Sequence, residues 1–194
     1  MADLSRAPAP EAGVRLFVAL PLPEALWATL AALQEDLRRQ GVQGRWVAPE
    51  SMHVTLAFLG ELPPQAVPSL AARLQRLGRG HTAFDLTTTS LGAFPRLAQA
   101  RVLWLGLAPE PRLVRLAAEL REDLAAAGLA FDPKPFQAHL TLVRLQRPQR
   151  IPTRDSGPDP ALLPVDRVVL YGSKLSGGGP RYTPLAEGRL RPSR

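Results

Sequence analysis

The sequence predicts an α+β fold in which a strand–helix–strand unit is used twice. Short apolar runs bounded by glycine and proline predict buried strands, and leucines recurring at three and four residues predict helices. Three pairs of landmarks in the two halves keep almost the same separation, which indicates a duplication with a pseudo-twofold axis. The separations are 87 residues from Leu20 to Leu107, 87 from Gly41 to Gly128, and 86 from His53 to His139.

The first half alternates strands and helices. The run VRLFVAL, bounded by Gly13 and Pro21, predicts a buried strand, and the spaced leucines after it predict a helix that ends at Gly41. The segment HVTLAFLG alternates as a half-buried strand does, and the run TAFDLTTTSLGAF is rich in residues that favour strands. The predicted strands are 14–20, 53–59 and 82–94, and the predicted helices are 23–40 and 64–77.

The second half begins with the same order of elements. The run ARVLWLGL predicts a strand, and leucines on one face predict a helix from about Pro109 that ends at Gly128, before a strand at HLTLVRL. A loop rich in proline and glycine follows, and two strands joined by the glycine turn SGGG predict a terminal hairpin. The predicted segments are the strand 100–107, the loop 147–164, and the hairpin strands 165–175 and 181–188.

Composition narrows the classes of function. The 194 residues contain no cysteine, which excludes thiolate nucleophiles, thiolate zinc sites and disulfides, so we expect a cytoplasmic location. No apolar run approaches the roughly 20 residues of a membrane span, so we expect no membrane partner. The net charge of +7 is almost all arginine, since Lys134 and Lys174 are the only lysines. Arginine suits phosphate, but an arginine-for-lysine bias from genome composition explains this charge equally well.

The chain length fits one domain made of two related lobes. Residues 1–13 carry an early acidic residue and lack the apolar stretch of a signal peptide, so we interpret them as a disordered N-terminal lead. The domain is predicted over 14–194, with lobes of approximately 14–95 and 96–194 on either side of a shared cleft. We expect this domain to act as a monomer.

Two of the three histidines stand in the same frame, HVTL at 53–56 and HLTL at 139–142. Side chains alternate faces along a strand, so each frame places one imidazole and one hydroxyl on the same face. If the halves are related by a pseudo-twofold axis, His53 and Thr55 face His139 and Thr141 across a groove. The sequence therefore predicts two titratable groups and two neutral donors around one ligand.

This set of groups suits in-line displacement at a phosphodiester. One neutral imidazole takes a proton from the attacking oxygen, one imidazolium protonates the leaving oxygen, and the hydroxyls bind the non-bridging oxygens. A lone histidine on a strand is more often a structural residue, but a structural role gives no reason for both copies to keep the polar pair. Two histidines without a third, and without a nearby carboxylate, make a poor zinc site, so no metal is predicted. We interpret His81 as a surface residue.

Four segments carry a resemblance to a known family. The segments RLFVALPLPE, WVAPESMHVTLAFLG, FQAHLTLVR and RYTPL resemble, in order and spacing, the bacterial and archaeal RNA 2′,3′-cyclic phosphodiesterases of the 2H phosphoesterase superfamily, also described as 2′-5′ RNA ligases. The resemblance runs from about Arg15 to Leu190. It implies a bilobal α+β fold, with two antiparallel sheets flanking a central cleft and helices outside. It also implies hydrolysis of the 2′,3′-cyclic phosphate at RNA ends or on nucleotides to a 2′-phosphate, without a metal or cofactor.

The resemblance also implies roles for individual residues. His139 would activate water and His53 would protonate the departing 3′ oxygen, with Thr55 and Thr141 on the phosphate. Arg144 matches an arginine that often follows the second motif and would neutralise phosphate charge. In an unbroken strand, however, Arg144 would lie on the face opposite His139, so this role requires a bulge or the end of the strand.

The remaining residues of these segments leave alternatives open. Phe58 and Trp46 are aromatic and could stack on a base, but burial preferences predict that both belong to the core. Tyr182 and Arg181 suggest a second wall of the cleft. Two other functions stay open: 2′-5′ joining of RNA ends by the reverse reaction, and a binding module that holds an RNA end or nucleotide without catalysis. The SGGG segment lacks the frame of a phosphate-binding loop, which argues against ATP-driven ligation.

Overall fold

The structure is a computed structural model that describes residues 13–151, 159–176 and 179–193. The predicted N-terminal lead lies outside the described residues except for Gly13, as do positions 177 and 178 of the predicted glycine turn. No helix in the described part of the chain is long and apolar enough to cross a membrane.

Nine strands and three α-helices form in the described residues. The strands are β1 (Val14–Pro21), β2 (Arg45–Trp46), β3 (His53–Leu62), β4 (Phe84–Phe94), β5 (Ala100–Leu107), β6 (His139–Gln149), β7 (Leu162–Val165), β8 (Arg167–Ser176) and β9 (Gly179–Arg189). The helices are α1 (Trp27–Arg39), α2 (Ala66–Gly80) and α3 (Pro111–Ala126), with short 3₁₀ turns at Glu24–Leu26, Pro49–Ser51 and Leu97–Gln99. The predicted strands and helices are all present. The short strands β2 and β7 were not predicted.

The strands form two sheets whose paired strands are all antiparallel. One sheet has the order β3-β1-β8-β9 and the other has the order β2-β6-β5-β4-β7. If β2 is set aside, β3, β1 and β8 correspond to β6, β5 and β4, as a duplicated unit requires. The edge strands β9 and β7 hold the same place in the sheets but are not copies of each other, since β9 is the next strand after β8 whereas β7 is not the next strand after β4. The predicted α+β class with two antiparallel sheets is confirmed. The sheets do not follow the predicted halves 14–95 and 96–194, because β4 of the first half pairs with β5 and β8 of the second half pairs with β1.

The duplication extends to the register of the paired strands. Pro21 lies opposite His53 in the pair β1 and β3, and Gly106 lies opposite His139 in the pair β5 and β6. The two histidine strands are therefore offset by 86 residues, as predicted. Their partner strands are offset by 85 residues and not by 87, since Gly106 is the counterpart of Pro21. The two motifs thus occupy equivalent positions, at the start of equivalent strands.

Each helix buries one apolar face. The buried residues of α2 and α3 are mostly leucines at helical spacing, and α1 buries Leu30 and Leu37 in the same way. The helix α2 lies against β8 and β9, and α3 contacts β3 and α2. α1 also buries the amide of Gln34, which donates to the carbonyls of Val47 at 2.7 Å and Leu142 at 3.1 Å. Through these bonds α1 fixes the backbone beside both β2 and β6.

The interpretation of His81 as a surface residue was wrong. The side chain is only 7% exposed, and its Nε2 lies 2.9 Å from a carboxylate oxygen of Glu119. Residue 81 directly follows α2, and Glu119 lies on α3, so the contact joins the two helices on the outside of the sheet. The sequence shows a histidine beside glycines, which is typical of a loop, but the tertiary contact with α3 buries it.

Candidate active site

The two predicted histidines are held in the same way. His53 and His139 are the first residues of β3 and β6, and each is partly buried. The Nδ1 atom of His53 lies 2.8 Å from the carbonyl oxygen of Ser51, and the Nδ1 atom of His139 lies 2.8 Å from that of Gln137. A carbonyl oxygen only accepts, so in both rings Nδ1 carries the proton and donates it. In both rings Nε2 is then the atom that can exchange a proton with a ligand in the cleft.

A bulge in β6 places Arg144 on the same face as the histidine. Thr141 lies opposite Trp104, but Val143 lies opposite the preceding residue, Leu103, so Leu142 is an extra residue in β6. An extra residue reverses the alternation of side chains beyond it. Arg144 therefore lies along the cleft with Thr141. A phosphate-binding role for Arg144 required a bulge or the end of the strand, and β6 has the bulge.

The first motif has the same bulge. Thr55 lies opposite Ala19, whereas Ala57 lies opposite Val18, so Leu56 is the extra residue of β3. The position equivalent to Arg144 is Phe58, which is 47% exposed and lines the cleft. The prediction that Phe58 belongs to the core was wrong, because the bulge turns its side chain away from the core face. At equivalent positions the site thus has a cation on one side and an aromatic ring on the other.

Two cavities meet at the motifs. The smaller encloses about 200 Å³ and the larger about 800 Å³. The residues that line both are Thr55, Phe58, His139, Thr141 and Arg144. The structure therefore brings four of the five predicted site residues to a wall shared by the two cavities, and the fifth, His53, lines the smaller one.

Aromatic rings pack against both histidines. The ring of His53 lies 4.8 Å from that of Phe17 and meets the ring of Tyr182 edge-on at 5.2 Å. His139 meets the ring of Phe94 edge-on at 5.2 Å, and Trp104 lies 5.9 Å away. Tyr182 lines the smaller cavity, as the closing segment RYTPL suggested. These contacts fix the orientation of each imidazole and exclude water from part of its surface.

The surroundings of the histidines favour their neutral forms. Burial lowers the pKa of His53 from 6.5 to about 4; the hydrogen bond to Ser51 opposes this change, while the charges of Arg144 and His139 add to it. Burial also lowers the pKa of His139, with the charge of Arg144 acting in the same direction. Both rings are therefore proton acceptors at neutral pH when the cleft holds no anion.

Several residues of the site were not predicted. Arg45 lines the smaller cavity. Its neighbour Trp46 is partly buried against the core but also lines that cavity, so the prediction of a core position for Trp46 is correct only in part. Phe94 and Phe136 line the larger cavity. Arg45 stands in the strand β2, which is two residues long and carries no periodic pattern, so no local signal in the sequence places it in the cleft.

The arrangement can hold one phosphate between two imidazoles, two hydroxyls and a guanidinium. The hydroxyls and the guanidinium are hydrogen-bond donors suited to non-bridging oxygens. No group of three or more histidine, aspartate or glutamate side chains that could hold a metal ion occurs within residues 13–151, 159–176 and 179–193.

The duplicated fold and the paired HxT motifs along one cleft are those of the 2H phosphoesterase superfamily. A family model described as LigT-like phosphoesterase matches the chain twice, at residues 20–104 and 105–182. The chain belongs to this LigT-like family. The two matches agree with the duplication seen in the strand register.

Named relatives and solved structures agree with this assignment. Proteins named RNA 2′,3′-cyclic phosphodiesterase are 35% identical in Thermotoga maritima, over 90% of this chain and 94% of the relative, and 36% identical in Thermus thermophilus, over 92% and 91%. A crystal structure of a Thermus thermophilus protein superposes with a TM-score of 0.78 at 34% identity, covering 93% of this chain and 100% of that one. The Escherichia coli LigT structure in complex with 3′-AMP gives a TM-score of 0.75 at 33% identity, covering 93% and 99%.

Proposed function

We propose that the protein hydrolyses 2′,3′-cyclic phosphates at RNA ends or on nucleotides to 2′-phosphates, by metal-independent general acid–base catalysis. The observation that carries the proposal is the equivalent placement of His53 and His139, each with Nδ1 bound to a backbone carbonyl and Nε2 left for proton transfer. The relatives named RNA 2′,3′-cyclic phosphodiesterase support the substrate class. Because every group used comes from one chain, we propose that a monomer is active, and that it acts in the cytoplasm.

The proposed reaction is a single in-line displacement. A water oxygen attacks phosphorus while the bond from phosphorus to the 3′ oxygen breaks, and the bond to the 2′ oxygen remains. His139 accepts a proton from the water at Nε2, and His53 donates one from Nε2 to the 3′ oxygen. Thr55, Thr141 and Arg144 bind the non-bridging oxygens, where negative charge accumulates as phosphorus becomes five-coordinate. Exchange with solvent then returns a proton to His53 and removes one from His139.

His53 can act as the acid only if binding of the substrate causes its imidazole ring to become protonated. With the cleft free of anions, its pKa is about 4, so the ring is neutral near pH 7. A phosphate anion placed against Nε2 raises this pKa, because an opposite charge stabilises the imidazolium. The assignment of acid and base follows the superfamily, and it requires that the bound phosphate raise the pKa of His53 more than that of His139.

Product analysis tests the proposed function. A short RNA ending in a 2′,3′-cyclic phosphate is incubated with the protein in the presence of EDTA, and the products are separated and compared with 2′- and 3′-phosphate standards. We expect a 2′-phosphate as the sole product, formed at the same rate with EDTA as without it. Loss of turnover in EDTA would contradict metal independence, and binding of the RNA without turnover would favour a binding module.

The pH dependence of kcat/KM follows from the lowered pKa values. Catalysis needs one protonated and one neutral histidine, and kcat/KM reports the protonation of the free enzyme. The pKa values of His53 and His139 both lie below 6.5. Lowering the pH from 7 therefore first protonates one histidine, which creates the active form, and then protonates the second, which removes it. We expect a bell-shaped profile with its maximum below pH 6.5, measured with a nucleoside 2′,3′-cyclic phosphate. A maximum at or above pH 7 would contradict the conclusion that both histidines are neutral at pH 7 in the free enzyme.

The two cavities favour a second candidate reaction, the 2′-5′ joining of RNA ends. The two cavities share the wall with Thr141 and His139, so a second nucleoside with a free 5′-hydroxyl has room beside the first. The hydroxyl would then take the place of water as the nucleophile, with His139 accepting its proton and His53 protonating the departing 3′ oxygen as in hydrolysis. Incubating a cyclic-phosphate RNA with a 5′-hydroxyl acceptor, and sequencing any joined product for a 2′-5′ linkage, tests this reaction.

A further inference from the structure

The smaller cavity carries a second cation that the proposed reaction does not use. Arg45 of β2 lies directly opposite Arg144 of β6 in the antiparallel pair. Gly44 allows this approach, since a Cβ atom there would lie only 2.6 Å from the carbonyl oxygen of Arg144. The backbone therefore holds two guanidinium-bearing residues next to each other at the catalytic centre.

Within the described residues, no carboxylate forms an ion pair with Arg45 or Arg144, although nine arginine side chains elsewhere do form such pairs. Among the residues that the structure describes, no aspartate or glutamate lines the smaller cavity. Like charges placed directly opposite each other on neighbouring strands destabilise a sheet. An anion with more than one phosphate would offset this repulsion.

The two cationic side chains that line only the larger cavity, Lys134 and Arg121, are in contrast already bound within the protein. Lys134 lies 3.0 Å from a carboxylate oxygen of Asp132, and the guanidinium of Arg121 donates to the backbone carbonyls of both residues. The remaining wall includes Phe94 and Phe136. This cavity therefore suits an uncharged, flat group such as a nucleobase, while the smaller cavity suits a phosphate.

On the basis of the proposed function, we propose that Arg45 binds the phosphate on the 5′ side of the terminal nucleotide. With the cyclic phosphate between His53 and His139, the ribose lies at the wall that the cavities share, and the base enters the larger cavity. The 5′ carbon then points toward the smaller cavity, where Arg45 lies beside Trp46. The guanidinium of Arg38 lies over the Trp46 ring, 4.5 Å from its centre, and holds this wall in place. The enzyme is thereby adapted to RNA ends more than to free nucleoside cyclic phosphates.

A pair of substrates that differ by one phosphate tests the proposal. Adenosine 2′,3′-cyclic phosphate is compared with its 5′-phosphorylated form, in the wild type and in Arg45→Gln. We expect Arg45→Gln to lower kcat/KM about tenfold for the 5′-phosphorylated substrate, as a lost charge-assisted hydrogen bond does, and less than about twofold for the other. The decrease of kcat/KM with rising salt should also become weaker in Arg45→Gln for the 5′-phosphorylated substrate alone, since salt screens the lost charge contact.

The matched control is Arg79→Gln, which removes an exposed arginine in the last turn of α2 and should affect neither substrate. An equal loss on both substrates in Arg45→Gln, or no loss on either, would overturn the role of Arg45 and leave the proposed function intact. Failure of the wild type to hydrolyse either substrate would overturn the proposed function itself, and the role of Arg45 with it.

Discussion

Replacing either histidine of the cleft with alanine is expected to lower kcat by about 10²- to 10⁴-fold, the usual contribution of a general acid or base. Each variant, His53→Ala and His139→Ala, removes one proton-transfer atom and leaves the fold of β3 and β6 in place, since both side chains stand at the strand start. The measurement is steady-state hydrolysis of a nucleoside 2′,3′-cyclic phosphate. Because the two groups act in one step, the double variant should be little slower than the slower single variant.

The third histidine supplies the control. His81→Gln removes the contact with Glu119 between α2 and α3, far along the chain from either motif, and should leave kcat unchanged once the folded fraction has been checked by circular dichroism. A loss of kcat in His81→Gln equal to that in the cleft variants would show that the loss follows from damage to the fold. Retention of more than a tenth of the activity in either alanine variant would contradict a role in proton transfer.

Arg144→Gln is expected to lower kcat/KM by about 10²-fold, because a preorganised cation on the non-bridging oxygens stabilises the transition state. The substitution should also raise the pKa of His53 and of His139, since the charge of Arg144 lowers both in the free cleft. The maximum of the pH profile should therefore move to higher pH. Titration of the imidazole signals by NMR measures the two pKa values directly.

Arg147→Gln is the matched control, since this arginine is exposed on the same strand and lines neither cavity. It should change neither kcat/KM nor the histidine pKa values. Unchanged histidine pKa values in Arg144→Gln would show that Arg144 does not act on the imidazoles, and an unchanged kcat/KM would remove it from the phosphate site.

The sequence was sufficient to predict the duplicated elements and the two HxT motifs, because both depend on local periodicity. The alternation of apolar and polar residues sets which face His53 and Thr55 occupy, and a repeated offset relates them to their counterparts. The five residues predicted for the site all line the cleft in the structure. Their roles in catalysis remain predictions that the variants above test.

The other features depend on tertiary contacts that no local pattern encodes. The bulges at Leu56 and Leu142 decide the positions of Phe58 and Arg144, and strand alternation alone gives the opposite face. The carbonyl of Leu142 accepts hydrogen bonds from the backbone of Val47 and from the amide of Gln34, so distant segments support the second bulge. The first three residues of β7 lie within the predicted loop 147–164, because their strand conformation depends on pairing with β4.

The measurement that most directly tests acid–base catalysis by two histidines uses a substrate in which sulfur replaces the bridging 3′ oxygen. A thiolate is a far weaker base than an alkoxide, so it can depart without a proton. We predict that this substrate restores hydrolysis in His53→Ala, where the acid is missing, and does not restore it in His139→Ala, where the base is missing. Restoration in His139→Ala alone would exchange the two roles, and equal behaviour of the two variants would contradict the proposed division into acid and base.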